Sequence, residues 1–455
     1  MFNKKNTSIL PLKIFLCLVL YFILVHLPAF GQKKTPEWSK NAVMYELNVR
    51  QFSEEGTFNA IISHLPRLKT MGIDIIWLMP IHPIGVKNRK GSLGSYYAVK
   101  NYKEVNPEFG SMDDFKKLVK SVHDLDMKII IDWVANHSSP DNIWVDEGHK
   151  DWYTLDSAGN LQPTIGTDWW DVADLNYDSK EMRNAMIDAM KFWVSETNID
   201  GYRCDVAGWV PIDFWNDVRR ELDKIKPVFM LAEDEGEKLH KDAFDVTYAW
   251  ELHHVMNKIA KGTMNADSVI AYFEREKKRF PIDAYRLNFT SNHDENSWNG
   301  TEFERLGDGV EAFAVFAATI YGMPLIYNGQ ESSFNRRLKF FEKDKIDWNN
   351  YNKNKFYTSL FNFKKQNPAI WNGAFGGFPS FIKTSNPNVL VYERNHESNS
   401  VLVILNLSPK KQTFLVDLSA LSDNYKKYIS GSKVKIKKGM TRVKMKSWEY
   451  QILYR

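Results

Sequence analysis

Ile199-Asp200-Gly201-Tyr202-Arg203-Cys204-Asp205 is the stretch from which the fold is read. A short apolar and aromatic run ends on an acidic residue. An amphipathic stretch, Glu181–Thr197, precedes it, and another, Ile212–Ile225, follows. That spacing predicts a strand between two helices, with both faces of the strand covered. The same alternation runs from Ala42 to about Trp348. Val43–Val49, Ile73–Met79, Lys128–Asp132, Val228–Ala232, Arg286–Ser291 and Leu325–Asn328 read as further strands, and Asp245–Trp250 as a less apolar one. Ile61–Met71, Met112–Asp126 and Gly309–Tyr321 read as further helices. Roughly eight strand–helix repeats predict a parallel sheet with helices outside, and closure into a (β/α)8 TIM barrel rather than an open sheet.

Two regions break the rhythm. Between the third and fourth strands, residues 136–181 are rich in Asp, Gly, Asn and Trp with little periodicity, which predicts a functional insertion after strand three. After a helix at Lys353–Lys365, short alternating runs such as Val389–Arg394, Val401–Leu407 and Glu449–Tyr454 are separated by Gly, Asn, Ser and Pro turns. They predict a C-terminal all-β sandwich domain. The expected division is a barrel over 32–368, an insertion at about 137–180 and the sandwich over 369–455.

The bulk numbers narrow the function classes. In 455 residues, 44% are hydrophobic and 25% charged, the balance of a globular chain. Sixty basic against 56 acidic side chains give a net charge of +4, which implies no polyanion partner and excludes nucleic acid from the reading. Lys4, Lys5 and Lys13, the apolar run Ile14–Val25 and Ala29-Phe30-Gly31 have the layout of a signal peptide cleaved after Gly31. The run is shorter than the roughly 20 residues of a membrane span. The expectation is export to the periplasm or the medium, with no membrane attachment after cleavage. Cys204 would be the only cysteine left, so no intramolecular disulfide is expected.

Catalytic groups of a barrel cluster where its strands end. Here acidic and polar residues recur at those places: Asp132 with Asn136-His137, then Arg203 with Asp205, then Glu233, then Asn292-His293-Asp294. Carboxylates, an arginine and two histidines from distant stretches would meet in one pocket.

With those residues in view, the chain resembles glycoside hydrolase family 13, the α-amylase family, over nearly its whole mature length. Asp132-Trp-Val-Ala-Asn-His137 is similar to the family's strand-three motif, and Gly201-Tyr-Arg-Cys-Asp205 to the strand-four motif that carries the nucleophile. Glu233 corresponds to the acid/base and Asp294, in Asn292-His-Asp294, to the transition-state stabiliser. Gly72–Pro80 and Gly322–Glu331 resemble the strand-two and strand-eight motifs. The resemblance implies retaining hydrolysis of α-glucosidic bonds, mainly α-1,4, in starch, glycogen or maltooligosaccharides. That reaction needs two carboxyl groups about 5–5.5 Å apart, one ionised and one protonated. Arg203, two residues before Asp205 and on the same side of the strand, would keep Asp205 ionised. Burial beside another carboxylate would raise the pKa of Glu233. His137 and His293 are implied as neutral donors to sugar hydroxyls. Tyr97, in Gly94-Ser-Tyr-Tyr-Ala-Val-Lys-Asn-Tyr102, is implied as the ring that stacks on the reacting sugar, in preference to Tyr96. Arg203 is grouped with these substrate-binding residues.

The pattern departs from the family after the nucleophile. Val206-Ala207-Gly208-Trp209 stands where many α-amylases carry a Lys-His pair at the last two positions. A contact from that Lys is missing, with Trp209 as a substitute stacking surface, which leaves transglycosylation open beside hydrolysis. Asp174-Leu175 resembles the family's fifth motif. Asn136 and Asp174, with a main-chain carbonyl near Trp209, are the candidate oxygen ligands of a structural Ca2+, and a direct Asn–Asp hydrogen bond is the alternative. No organic cofactor is expected, and the chain is expected to be a monomer. The insertion is short, so the cleft is expected to be open on that side. A non-catalytic carbohydrate-binding barrel would lack the nucleophile or the acid, and both are present.

Overall fold

The computed structural model describes residues 35–455 except 282 and 349–350. The signal-peptide expectation therefore lies outside the described residues. Eight strands form a closed parallel barrel: β1 (Met44–Leu47), β2 (Ile75–Leu78), β3 (Lys128–Trp133), β4 (Gly201–Cys204), β5 (Phe229–Ala232), β6 (Val246–Tyr248), β7 (Tyr285–Phe289) and β8 (Met323–Tyr327). Neighbours in sequence are neighbours in space, and β1 closes the ring by pairing with β8 at Met44–Leu325.

Side chains alternate between two cores, as the two-residue period of a strand requires. Met44, Ile75, Ile130, Leu231, Leu287 and Leu325 point inward and fill the barrel. Tyr45, Ile129, Ile131, Tyr202 and Met230 point outward against the helices. The same alternation turns Glu46, Asp132 and Arg203 inward, immediately above the apolar filling. Gly201 is required where it stands, because a Cβ there would run into the carbonyl of Phe229 on β5.

The outer helices include α1 (Leu65–Met71), α2 (Met112–His123), α3 (Lys180–Thr197), α4 (Ile212–Asp223), α5 (Trp250–Ala260), α6 (Ala266–Arg279), α7 (Val310–Thr319) and α8 (Asn354–Gln366). The single helix expected at Ile61–Met71 is two, Phe58–Ile62 and α1, because Pro66 cannot continue a helix but suits the first turn of a new one. The regular alternation also fails once. A single 3-10 turn, Glu237–His240, joins β5 to β6, while α5 and α6 both lie between β6 and β7. Neither α5 nor α6 was legible from the apolar pattern.

The C-terminal domain has a six-stranded sheet and a two-stranded one. The first is built from β9 (Ser380–Phe381), β10 (Val389–His396), β11 (Asn399–Asn406), β13 (Asn424–Lys427), β14 (Lys433–Lys435) and β16 (Tyr450–Tyr454); the second from β12 (Gln412–Asp417) and β15 (Met440–Met445). Val391 and Leu402 of one sheet pack with Phe414 and Val416 of the other, which makes a sandwich. The two strands that the sequence reading lacked, β13 and β15, are short, carry two Lys and an Arg with a Lys respectively, and are largely solvated, so their apolar alternation is faint.

Arg394 of β10 ties this domain to the barrel. Fully buried, it donates to the carbonyls of Gly377 (2.6 Å), Trp371 (2.6 Å), Thr319 (3.0 Å) and Ile320 (3.0 Å). Burial holds its pKa down, to about 10. Arg394→Ala would orphan buried carbonyls, each costing about 1–3 kcal/mol. The expected loss is about 3 kcal/mol or more, read from the midpoint of denaturant unfolding. An unchanged midpoint would mean that the two domains are held without this side chain.

Candidate active site

The inward positions at the C-terminal ends of the strands converge on one buried guanidinium. Arg203 Nη1 lies 2.8 Å from Asp132 Oδ1 and 2.9 Å from Asp205 Oδ1, and its Nη2 lies 2.9 Å from Glu233 Oε1. Its plane is walled by the rings of Trp77, Tyr97 and Tyr248, at 5.1, 5.9 and 5.7 Å from the guanidinium carbon. Asp205 and Glu233 are thus held side by side on adjacent nitrogens of one planar group.

Backbone geometry fixes the rest. Asp205 N donates to the Trp133 carbonyl and Glu233 N to the Cys204 carbonyl, so both carboxyls emerge from the continued ladders β3–β4 and β4–β5. Val206 is then forced to φ 37°, a left-handed conformation that costs a β-branched residue energy. The turn points its N–H at Glu233 Oε2, 2.9 Å away.

A second set of contacts runs from β1 across the site. His293 Nδ1 lies 2.5 Å from Glu46 Oε1, His293 Nε2 lies 2.8 Å from the Tyr97 hydroxyl, and that hydroxyl donates to Asp132 Oδ2 at 3.1 Å. Trp77 Nε1 also donates to Asp132 Oδ2. Asp294 Oδ2 is 3.4 Å from His293 Nε2.

The protonation states follow from this packing. Burial pushes Glu233 up to about 8, with Arg203 pulling it down and Asp205 and Asp294 raising it again. Burial likewise raises Asp132, to about 7, against the pull of Arg203. Burial lowers His137, which favours its neutral form. His293 corrects the expectation of a neutral donor. Burial pulls it down, but Asp294 and Glu46 outweigh that and lift it to about 9, so it carries a proton at neutral pH. Both ring nitrogens then donate, one to Glu46 and one to Tyr97.

These groups floor a cleft of about 650 Å³ lined by Tyr97, His137, Asp205, Glu233, His293 and Asp294, with Trp169, Trp298 and Phe340 as aromatic walls. Tyr97 stacks parallel to His293, whereas Tyr96 is buried under Arg50 and faces away from the cleft. Arg203 differs from the sequence reading. It has no exposed surface, so it meets a ligand only through the carboxylates that it holds. Trp209 lies next to this cleft. It stacks on Trp169 (5.5 Å between ring centres, 20° between planes) and lines an adjoining cleft of about 510 Å³ with Trp250, Asp234, Glu235 and Arg279. The two clefts meet at Val206 and Glu233. The departure at Gly208 has a steric reason, since a Cβ there would run into the Asp234 carboxylate.

Asn136 and Asp174 lie beside this site, joined through a threonine. Asn136 donates to the Thr164 hydroxyl (2.9 Å), which donates to Asp174 Oδ1 (2.9 Å), and the Thr154 hydroxyl donates to Asp174 Oδ2 (2.8 Å). Ca2+ takes six to eight oxygens. Here both carboxylate oxygens are engaged by hydroxyls, and among the described residues no three His, Cys, Asp or Glu side chains gather to hold a metal. The arrangement is a hydrogen-bonded junction through Thr164 rather than the direct Asn–Asp bond, and an ion at Asp174 would have to displace both hydroxyls. Dialysis against EDTA is therefore expected to leave the melting temperature and activity unchanged, and a clear drop reversed by Ca2+ would overturn this.

Sequence reasoning brought Asp132 to the pocket without a role there and did not single out Glu46 or Trp77 for the site. For Glu46 a signal existed: a carboxylate at the inward position of an apolar strand. Trp298 and Phe340 gave none, because loops after β7 and β8 bring them in.

Residues 30–406 match the family model described as the alpha amylase catalytic domain, and residues 380–452 the one described as the maltogenic amylase C-terminal domain. A noncanonic maltogenic alpha-amylase from Thermotoga neapolitana is similar at 30% identity and a TM-score of 0.82, over 91% of this chain and 98% of that one. An alpha-amylase from Lactobacillus plantarum is similar at 28% identity and a TM-score of 0.81, over 91% and 99%. The alpha-amylase MalA of Haloarcula japonica is 26% identical over 83% of this chain, which spans 57% of that longer relative. Barrel, site and matched model agree: the chain belongs to the α-amylase family of glycoside hydrolases.

Proposed function

We propose that the protein hydrolyses α-1,4-glucosidic bonds of maltooligosaccharides and related α-glucans with retention of configuration. The observation that carries this reading is the pair Asp205 and Glu233 on adjacent nitrogens of Arg203, with Glu233 kept protonated near neutrality. Asp205 attacks the anomeric carbon while Glu233 gives its proton to the departing glycosidic oxygen, and the C–O bond breaks to leave a glycosyl ester on Asp205. Glu233, now ionised, takes a proton from water, which attacks the ester, frees Asp205 and re-protonates the acid. Asp294 and the protonated His293 would bind hydroxyls of the distorted ring. No step requires a metal or an organic cofactor.

Incubation with maltoheptaose, read by mass spectrometry, tests the reading. Shorter products with the α-anomer formed first are expected, and the β-anomer first would contradict retention. The adjoining cleft beneath Trp209 and Trp250 favours a second reading, glycosyl transfer to a sugar acceptor bound there. Products longer than seven sugars would establish it. Export is part of the proposal, on the strength of the N-terminal segment. N-terminal sequencing of the protein from the periplasm or medium should begin at Gln32.

A further inference from the structure

The loop between β2 and α2 crosses one end of the reaction cleft and is fastened on both walls. On the insertion side, Asn88 donates to the Trp170 carbonyl (3.1 Å), and Lys90 Nζ lies 3.0 Å from Asp171 Oδ1. On the opposite side, Leu93 N donates to the Phe341 carbonyl (3.1 Å) and Ser92 N to Glu342 Oε1 (2.9 Å). Gly91, at φ 62°, is packed so closely on Phe341 that a Cβ would collide with it. Within the loop, Arg89 donates to the carbonyls of Ile84 and Gly85, which stiffens the span. It is a strap rather than a hanging loop. The cleft expected to be open beside the short insertion is bridged there.

Lys90 itself faces the cleft, with Asp168, Asp171, Phe340 and Phe341 around it. The adjoining cleft has none of these residues and shares only Val206 and Glu233 with the first. A group that protonates the leaving oxygen stands at the boundary between the transferred sugar and the leaving sugar. Glu233 is at that boundary here. The leaving part must then extend toward Trp209 and Trp250, and the transferred part toward the strap.

We propose that the strap makes the glycone side a blind pocket, so that the enzyme works from non-reducing chain ends and releases one or two glucosyl units per cut, with the Lys90–Asp171 pair as the determinant of that length. This rests on the proposed hydrolysis of α-1,4-glucans. A strap tied to one wall by an ion pair and to the other by main-chain hydrogen bonds would stop a glucan chain from running on past it. The Lys90 ammonium and the Asp168 and Asp171 carboxylates offer donors and acceptors to the terminal hydroxyls.

Maltoheptaose labelled at its reducing end separates the outcomes. The expected early products are unlabelled glucose or maltose, with labelled chains shortened by the same amount. A heptaose capped at its non-reducing end by a 4,6-O-ethylidene group should be cut at least 10-fold more slowly than the free chain. Lys90→Ala and Asp171→Asn should each let unlabelled fragments of three or more units appear and relieve the block on the capped chain. Early internal fragments from the unaltered protein, or equal rates on capped and free chains, would overturn the strap assignment while leaving hydrolysis intact. An unchanged product pattern in both folded variants would remove the role of the ion pair. If no α-1,4-glucan is cut at all, the proposed function fails first and this inference with it.

Discussion

Asp205→Asn is expected to lower kcat on maltooligosaccharides by at least about 10⁴-fold, the scale on which loss of an enzyme's nucleophile is felt. The amide keeps the size of the carboxylate but cannot form the ester. The fold should tolerate the change because Arg203 keeps its contacts to Asp132 and Glu233, and loss of the Asp205 charge removes one cause of their raised pKa values, so Asp132 ionises more readily as the counter-charge. The melting temperature should move by no more than about 2 °C, the effect of roughly 1–2 kcal/mol in a chain of this size. A fluorinated glucosyl fluoride, which forms the ester faster than water removes it, gives a direct readout. It should add one glycosyl mass to the peptide containing Asp205 in the wild type and none in the variant. A near-wild-type rate, or label on another residue, would sink the assignment.

Glu233→Gln should cost about 10²–10⁴-fold on maltooligosaccharides, the range attributed to general acid–base catalysis. The loss should shrink on an aryl glucoside whose leaving group departs without a proton, because that substrate does not need the acid in the first step, while the second, base-assisted step stays slow. The pH profile carries the sharper signature. Burial holds the acid protonated up to about pH 8, so kcat/KM should stay high below that value and fall as pH rises through it. In Glu233→Gln that alkaline limb should vanish. In a variant that keeps the acid but loses the Asp205 charge, one cause of the raised pKa is gone, and any residual activity should fall off at a lower pH. An alkaline limb that persists in Glu233→Gln would assign it to another group, with His293, raised to about 9, the next candidate.

The chain order of strands and the residues at their ends were legible because both are local. An apolar run followed by Asp205, Glu233 or Asn292-His293-Asp294 needs no knowledge of the rest of the molecule. Arg203 was placed beside Asp205 by the two-residue period alone, and the salt bridge of 2.9 Å lies where that period puts it. Its second and third partners were not legible, since Asp132 and Glu233 come from neighbouring strands whose register is set by closure of the barrel. The charge on His293 was misread for the same reason. Sequence supplies Asp294 next to it, but Glu46 arrives from 247 positions away. Trp209 was read as a stacking surface in place of the missing Lys, but its pairing with the ring of Trp169 and the separate cleft that it lines were set by the fold.

By itself the sequence determined the barrel, the sandwich that follows it and the side chains aimed at the site, because periodicity and strand ends are encoded over a few residues at a time. Only the tertiary structure decided which of those groups carry protons, what stands between Asn136 and Asp174, and how far the cleft extends. Protonation is set by burial and by charges summed over elements distant in sequence, and a strap over a cleft exists only once loops after β2, β3 and β8 have met.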